Sequence, residues 1–201
     1  ILTPSKKFPI FTPINPEIME NSNIFPKHGG YRNLLSYQKA VIIYDGTVFF
    51  CNKYFDKYDR TIDQMVQAAR SGKQNIVEAS VASATSKKSE IFLTNVARAS
   101  LEELLTDYED FLRIRKLQKW SREHPYSKRF DELNRTPNPT YETFKKAIEH
   151  PDPEINANIL ICLIGVTTYL LWRQLQHLEK EFIEKGGLTE KMYHARKNRK
   201  K

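Results

Sequence analysis

The chain of 201 residues carries 32 Lys and Arg against 24 Asp and Glu, a net charge of +8, with 40% hydrophobic and 28% charged residues. That balance supplies a packed core and a solvated surface for about one domain, and reads as a soluble, basic, helical protein. Two cysteines exclude a disulfide scaffold and a cysteine-based zinc cluster, and seven glycines are few for an all-β or Gly-loop protein. The cysteine usage fits a reducing compartment and a cytoplasmic location.

The basic character is local. Residues 113–135 hold eight basic and three acidic residues, and residues 185–201 hold seven and one, so the two segments carry +11 and the remainder −3. Such segments are either solvated helix ends and tails or the electrostatic footprint of a polyanion.

Residues 1–30 contain Pro4, Pro9, Pro13, Pro16 and Pro26 and close on Gly29-Gly30. Proline fixes φ and removes a donor, so this zone is expected to be an extended arm, with Ile10, Phe11, Ile14, Ile18 and Phe25 as anchors. It lacks the apolar h-region of a signal peptide. Ile1 is not a start methionine, so the chain reads as a processed or trimmed product.

The spacing of Leu34, Leu35, Val41, Ile42, Val48, Phe49 and Phe55 predicts a first helix over 31–55. Gly46 interrupts it at a cost of ~1 kcal/mol relative to alanine. Ile43, Phe50 and Cys51 fall outside that face, and surplus apolar surface implies a partner.

A second helix is predicted over 61–84, capped by Thr61 or Asp59. Ile62, Met65 or Val66, Ala69, Gly72, Ile76 and Ser80 trace one stripe. Ala68, Ala69, Ser71 and Gly72 make its middle thin, which admits a neighbouring backbone. Glu78 on this helix is either a surface carboxylate or a partly buried acceptor for a neighbouring helix end or subunit.

A third helix is predicted over 87–120 behind Ser86 or Thr85, with Leu93, Val96, Ala97, Leu101, Leu104, Tyr108, Phe111 and Leu112 inward. Basic residues begin at Arg113, where the helix dipole favours cations. Prolines punctuate 121–154, which reads as an insertion holding one short helix over 140–150. A last helix over 154–185 ends at Gly186-Gly187. Its apolar run is broken by Asn156, Asn158, Thr167 and Thr168, so a buried helix is the better reading than a membrane span of ~20 apolar residues. Residues 188–201 read as a basic flexible tail. The fold expected is all-α, an antiparallel up-down four-helix bundle over 31–187 with an N-terminal extended arm and an insertion between the third and fourth helices.

No constellation supports catalysis. None of the five histidines lies at i, i+4 from another, and no Glu-x-x-His pair occurs, so no metal or cofactor site is expected. Cys51 and Cys162 sit in apolar surroundings, as core residues do. Glu78, Glu102 and Glu103 offer an acid–base pair only in principle, since glutamates on helix surfaces are usually solvated.

The run Gln67-Ala68-Ala69-Arg70-Ser71 followed by Asn75-Ile76-Val77-Glu78-Ala79 resembles the signature helix of the four-helix-bundle family of 23S rRNA intervening-sequence proteins. Lys87 to Leu93 and Ala97-Arg98-Ala99-Ser100-Leu101-Glu102-Glu103-Leu104 are similar to that family's next helix, and Tyr31-Arg32-Asn33-Leu34 with Tyr37-Gln38-Lys39-Ala40 to its first. The resemblance covers residues 31–117, and Ala79 stands where the family has glycine. It implies an up-down bundle assembled as a homopentameric ring, without enzymatic activity. The family includes the accessory variability determinant of diversity-generating retroelements, which binds nucleic acid and a reverse transcriptase through basic surfaces, a role that transfers here only by analogy.

The function expected is therefore a non-catalytic, oligomeric scaffold that binds RNA or DNA, an accessory to a reverse transcriptase or another nucleic-acid enzyme. The phosphate-contacting candidates are Arg113, Arg115, Lys116, Lys119, Arg122, Lys128 and Arg129, with Arg196, Lys197, Arg199, Lys200 and Lys201 as a second contact. Trp120 and Tyr126 lie among them, either to stack on unpaired bases or to pack the insertion. The alternative is a protein–protein adaptor whose basic segments meet an acidic partner.

Overall fold

A computed structural model describes residues 30–198. The extended arm expected over 1–30 lies outside the described residues save for Gly30, and so do Arg199, Lys200 and Lys201. The described residues are helical without a strand. A 3-10 turn at Gly30–Asn33 leads into α1 (Leu35–Tyr54), followed by α2 (Arg60–Ala82), α3 (Lys87–Ile114), α4 (Pro125–Asn134), α5 (Tyr141–Ile148), α6 (Pro153–Lys185) and α7 (Leu188–Asn198).

Local chemistry sets the helix starts. Asp59 accepts the Thr61 N–H at 2.9 Å, Ser86 accepts the Ser89 N–H at 3.1 Å, and Asp152 accepts the Glu154 N–H at 2.9 Å. Each side chain satisfies a donor that the first turn leaves orphaned. Gly186, at φ 64°, closes α6.

Helix α1 packs on α2 and α6, α2 on α3, and α3 on α6; α5 lies across α6 and α1, and α4 touches α6. Phe50 stands in an aromatic cluster, its ring 4.8 Å from Tyr108 and 4.6 Å from Phe111. The fully buried Tyr108 hydroxyl donates to Thr47 Oγ1 at 3.0 Å, and Thr47 donates to the Ile43 carbonyl at 2.7 Å. That chain satisfies two hydroxyls inside an apolar core.

The buried face of α1 is rotated from the expected one. Ile43, Phe50 and Cys51 are fully buried in the monomer, whereas Val41, Val48 and Phe49 are half-buried and Leu35 is exposed. Those three residues therefore do not form surplus surface. The inward face is chosen by close approach: a Cβ on Gly46 would lie 2.7 Å from Leu160 Cδ2 and 3.3 Å from Ile148 Cγ2. The glycine that weakens α1 as a helix is what lets α6 and α5 reach it. Helix α2 follows the expected stripe, with Met65, Ala69, Gly72 and Ile76 buried, and a Cβ on Gly72 would lie 2.7 Å from Leu101 Cδ2.

Helix α3 ends at Ile114, before the expected 120. Lys116 turns to φ 57°, Leu117 N–H donates to the Leu112 carbonyl at 2.9 Å, and Lys116 N–H donates to the Arg113 carbonyl at 3.2 Å. This is a Schellman ending with lysine in the left-handed position that glycine favours. The insertion holds α4 as well as the expected α5; α4 opens with Pro125 in its first turn, and His124 Nδ1 accepts the Tyr126 N–H at 3.3 Å. Phe130, Phe144 and Ile148 bury it against the core. The flexible tail expected over 188–201 is helical over Leu188–Asn198, where Glu190 accepts the Gly187 N–H at 2.9 Å. The stretch Pro153–Glu190 is long and apolar enough to cross a membrane, with a mean hydropathy of 1.7 in its most apolar window, and 56% of that window is buried inside the fold.

Candidate nucleic-acid interface

Two of the basic candidates are held by carboxylates. Arg113 pairs with Asp110 at 2.7 Å, and Lys119 pairs with Glu109 at 2.5 Å. Arg115 donates to the Tyr54 carbonyl at 2.9 Å and lies 4.0 Å from the Phe111 ring centroid. It thereby closes the C-terminus of α1, where a cation interacts well with the dipole. Arg115 also lines a cleft of about 570 Å³ shared with Asp56, Asp59, Asp107 and Asp110. Burial, with Glu103 and Asp110 nearby, raises the Asp107 carboxyl above its ordinary range. At that end of α3 the cations Arg113, Arg115 and Lys119 stand beside carboxylates.

Lys116, Arg122, Lys128 and Arg129 are exposed and make no ion pair among the described residues. They follow the end of α3 and occupy its connection to α4 and α4 itself. Arg196 and Lys197 are exposed on α7. Trp120 packs the insertion: it is 8% exposed, its ring stacks on His124 at 4.9 Å, and its backbone N–H donates to Asn158 Oδ1 at 2.8 Å. Tyr126 is 44% exposed, with its ring 5.2 Å from Trp120.

A cleft of about 530 Å³ opens between α4, α5 and α6. Its lining brings Trp120, Tyr126 and Arg129 together with Thr143, Lys146 and His150. The last three carry no mark in the sequence pattern. Tyr141, Phe144 and Ile148 share one side of α5, but nothing in the α5 pattern shows that Thr143, Lys146 and the following His150 line a cleft with α4.

Burial, with Asp107 and Asp59 adding to it, pushes the Cys51 thiol up to about 12; burial pushes Cys162 up to about 11. Neither is a thiolate near neutrality. Among the described residues no cluster of His, Cys, Asp and Glu has the makings of a metal site. Glu78, Glu102 and Glu103 are exposed. No family model, curated protein or solved structure matches the chain, so the resemblance to the intervening-sequence proteins stands on its motifs alone.

Proposed function

We propose that the protein is a non-catalytic, oligomeric scaffold that binds nucleic acid through the surface around the α3–α4 connection. The observation carrying this is the exposed set Lys116, Arg122, Lys128 and Arg129, which makes no ion pair among the described residues. Cations without internal partners are free to displace counterions from a phosphate backbone.

In this reading α1, α2, α3 and α6 form an antiparallel up-down four-helix bundle behind a Pro-rich arm. Short links at 55–59 and 83–86 support it, as does the 3.2 Å ion pair between Lys87 at the start of α3 and Glu181 near the end of α6. Assembly into a homo-oligomeric ring, the pentamer implied by the resemblance, is supported by an outward stripe on α6. Cys162, Gly165, Tyr169 and Trp172 follow at three- and four-residue spacing, with Tyr169 53% and Trp172 42% exposed. Aromatic surface at that spacing suits a second copy. The assembly serves as an accessory to an enzyme that acts on nucleic acid.

The test is fluorescence anisotropy with labelled single-stranded and duplex oligonucleotides at low salt. Binding to at least one is expected. Binding to neither refutes the reading and leaves the adaptor function in its place.

A further inference from the structure

We propose that the cleft between α4, α5 and α6 receives one unpaired nucleotide of a single-stranded nucleic acid, its base on Tyr126 and its phosphate between Arg129 and Lys146. The inference rests on the nucleic-acid reading above and names the form of ligand that reading leaves open.

The lining is rich in donors and poor in acceptors. Arg129 and Lys146 are exposed cations with no ion pair among the described residues. His150 Nδ1 accepts the Asp152 N–H at 3.1 Å, so the neutral ring carries its proton on Nε2, a further donor. The Trp120 indole N–H is buried and has no acceptor among the described residues. The one carboxylate on the lining, Glu142, is held by Lys145 at 3.0 Å. Such a cleft fits a ligand that presents acceptors and negative charge.

Shape narrows the ligand further. The volume lies within the ~300–1,000 Å³ of small-molecule sites, and Phe130 and Phe144 give the cleft apolar walls. Trp120 already stacks on His124, with 9° between the rings, so Tyr126 is the aromatic surface left for a base. A base within a duplex has both faces covered by its neighbours and cannot enter; an unpaired base can.

Trp120 reports occupancy once Trp172, the other tryptophan, is replaced. Trp172→Phe protein, its assembly matched to the parent by light scattering, is titrated with a dodecathymidylate and with a blunt duplex of equal length. The single strand is expected to change Trp120 emission saturably and the duplex to leave it unaltered. Tyr126→Ala is expected to weaken single-strand affinity at least ~5-fold with little effect on the duplex. Lys146→Gln, at an exposed position, is expected to weaken the single strand in the same direction, which guards against a folding defect in the tyrosine variant. Single-strand binding that leaves Trp120 emission and both variants' affinities unaltered overturns the cleft assignment but leaves the nucleic-acid reading standing. Failure of the parent to bind either oligonucleotide at low salt overturns both.

Discussion

The Lys39 ammonium, fully buried in the first turns of α1, donates to Asn134 Oδ1 on the last residue of α4 at 2.5 Å. The bond joins residues 95 apart and ties the insertion to the core. Burial lowers the Lys39 pKa from its ordinary value of 10.5. A buried charge with one polar partner depends heavily on that partner. Asn134→Ala is expected to cost ~1.5–3 kcal/mol at pH 7. A lysine with a folded pKa below its unfolded one is a burden while both states are charged, and stability rises with pH between the two values. The deficit of Asn134→Ala is therefore expected to shrink on approach to pH 10. Thermal melts of the variant and the parent across pH 7–10 check this; a constant gap would contradict it.

Gly72 and Leu101 define how closely α2 and α3 approach. A Cβ at Gly72 meets Leu101 Cγ at 2.8 Å and Cδ2 at 2.7 Å, so Gly72→Leu is expected to cost ~1–3 kcal/mol through overpacking. Gly165 has nothing among the described residues within 4 Å of such an atom, so in the dissociated protomer Gly165→Ala is expected to gain up to ~1 kcal/mol from helix propensity. Denaturant titration of both variants gives the two signs.

Lys116 occupies a left-handed backbone position, with φ 57°. Lys116→Gly is expected to raise stability by ~1 kcal/mol, or ~2–4 °C in Tm for a chain of this length. An unchanged or lower Tm would show that α3 does not end in the turn described.

The outward α6 stripe carries the assembly reading. Tyr169→Glu combined with Trp172→Glu leaves the core intact, because both side chains are exposed. Light scattering is expected to show the parent as a multiple of 23.6 kDa and the double variant as the monomer. A parent of monomer mass at micromolar concentration rules the ring out.

The long helices are legible in the sequence because their apolar spacing is strong and their N-caps are narrowed to two residues each, of which Asp59 and Ser86 are the ones used. The sequence misleads at Gly46, where helix propensity speaks against a residue that close packing requires. It misplaces the face of α1, because α2, α5 and α6 bury Ile43, Phe50 and Cys51 and leave Val41, Val48 and Phe49 of the expected stripe half-buried. The end of α3 is hidden, since lysine rather than glycine takes the left-handed position. Helix α4 is hidden because only Phe130 of it is buried. The basic residues are visible as a cluster. Their sorting into paired (Arg113, Lys119), structural (Arg115) and unpaired is not, because it depends on carboxylates and carbonyls delivered by tertiary packing.

The salt dependence of nucleic-acid binding separates the unpaired cations around α4 from the paired ones at the end of α3. The slope of log affinity against log salt is measured for the parent, for a protein with Arg122, Lys128 and Arg129 reversed to glutamate, and for one with Arg113 and Lys119 reversed. Each phosphate that is no longer neutralised flattens the slope by ~0.7 on a single strand or ~0.9 on a duplex. The triple reversal is expected to free roughly two to three phosphates on that scale. Reversal of the two paired cations is expected to change the slope by less than the value of a single phosphate. A triple reversal that binds with the parent's affinity and slope would contradict the account.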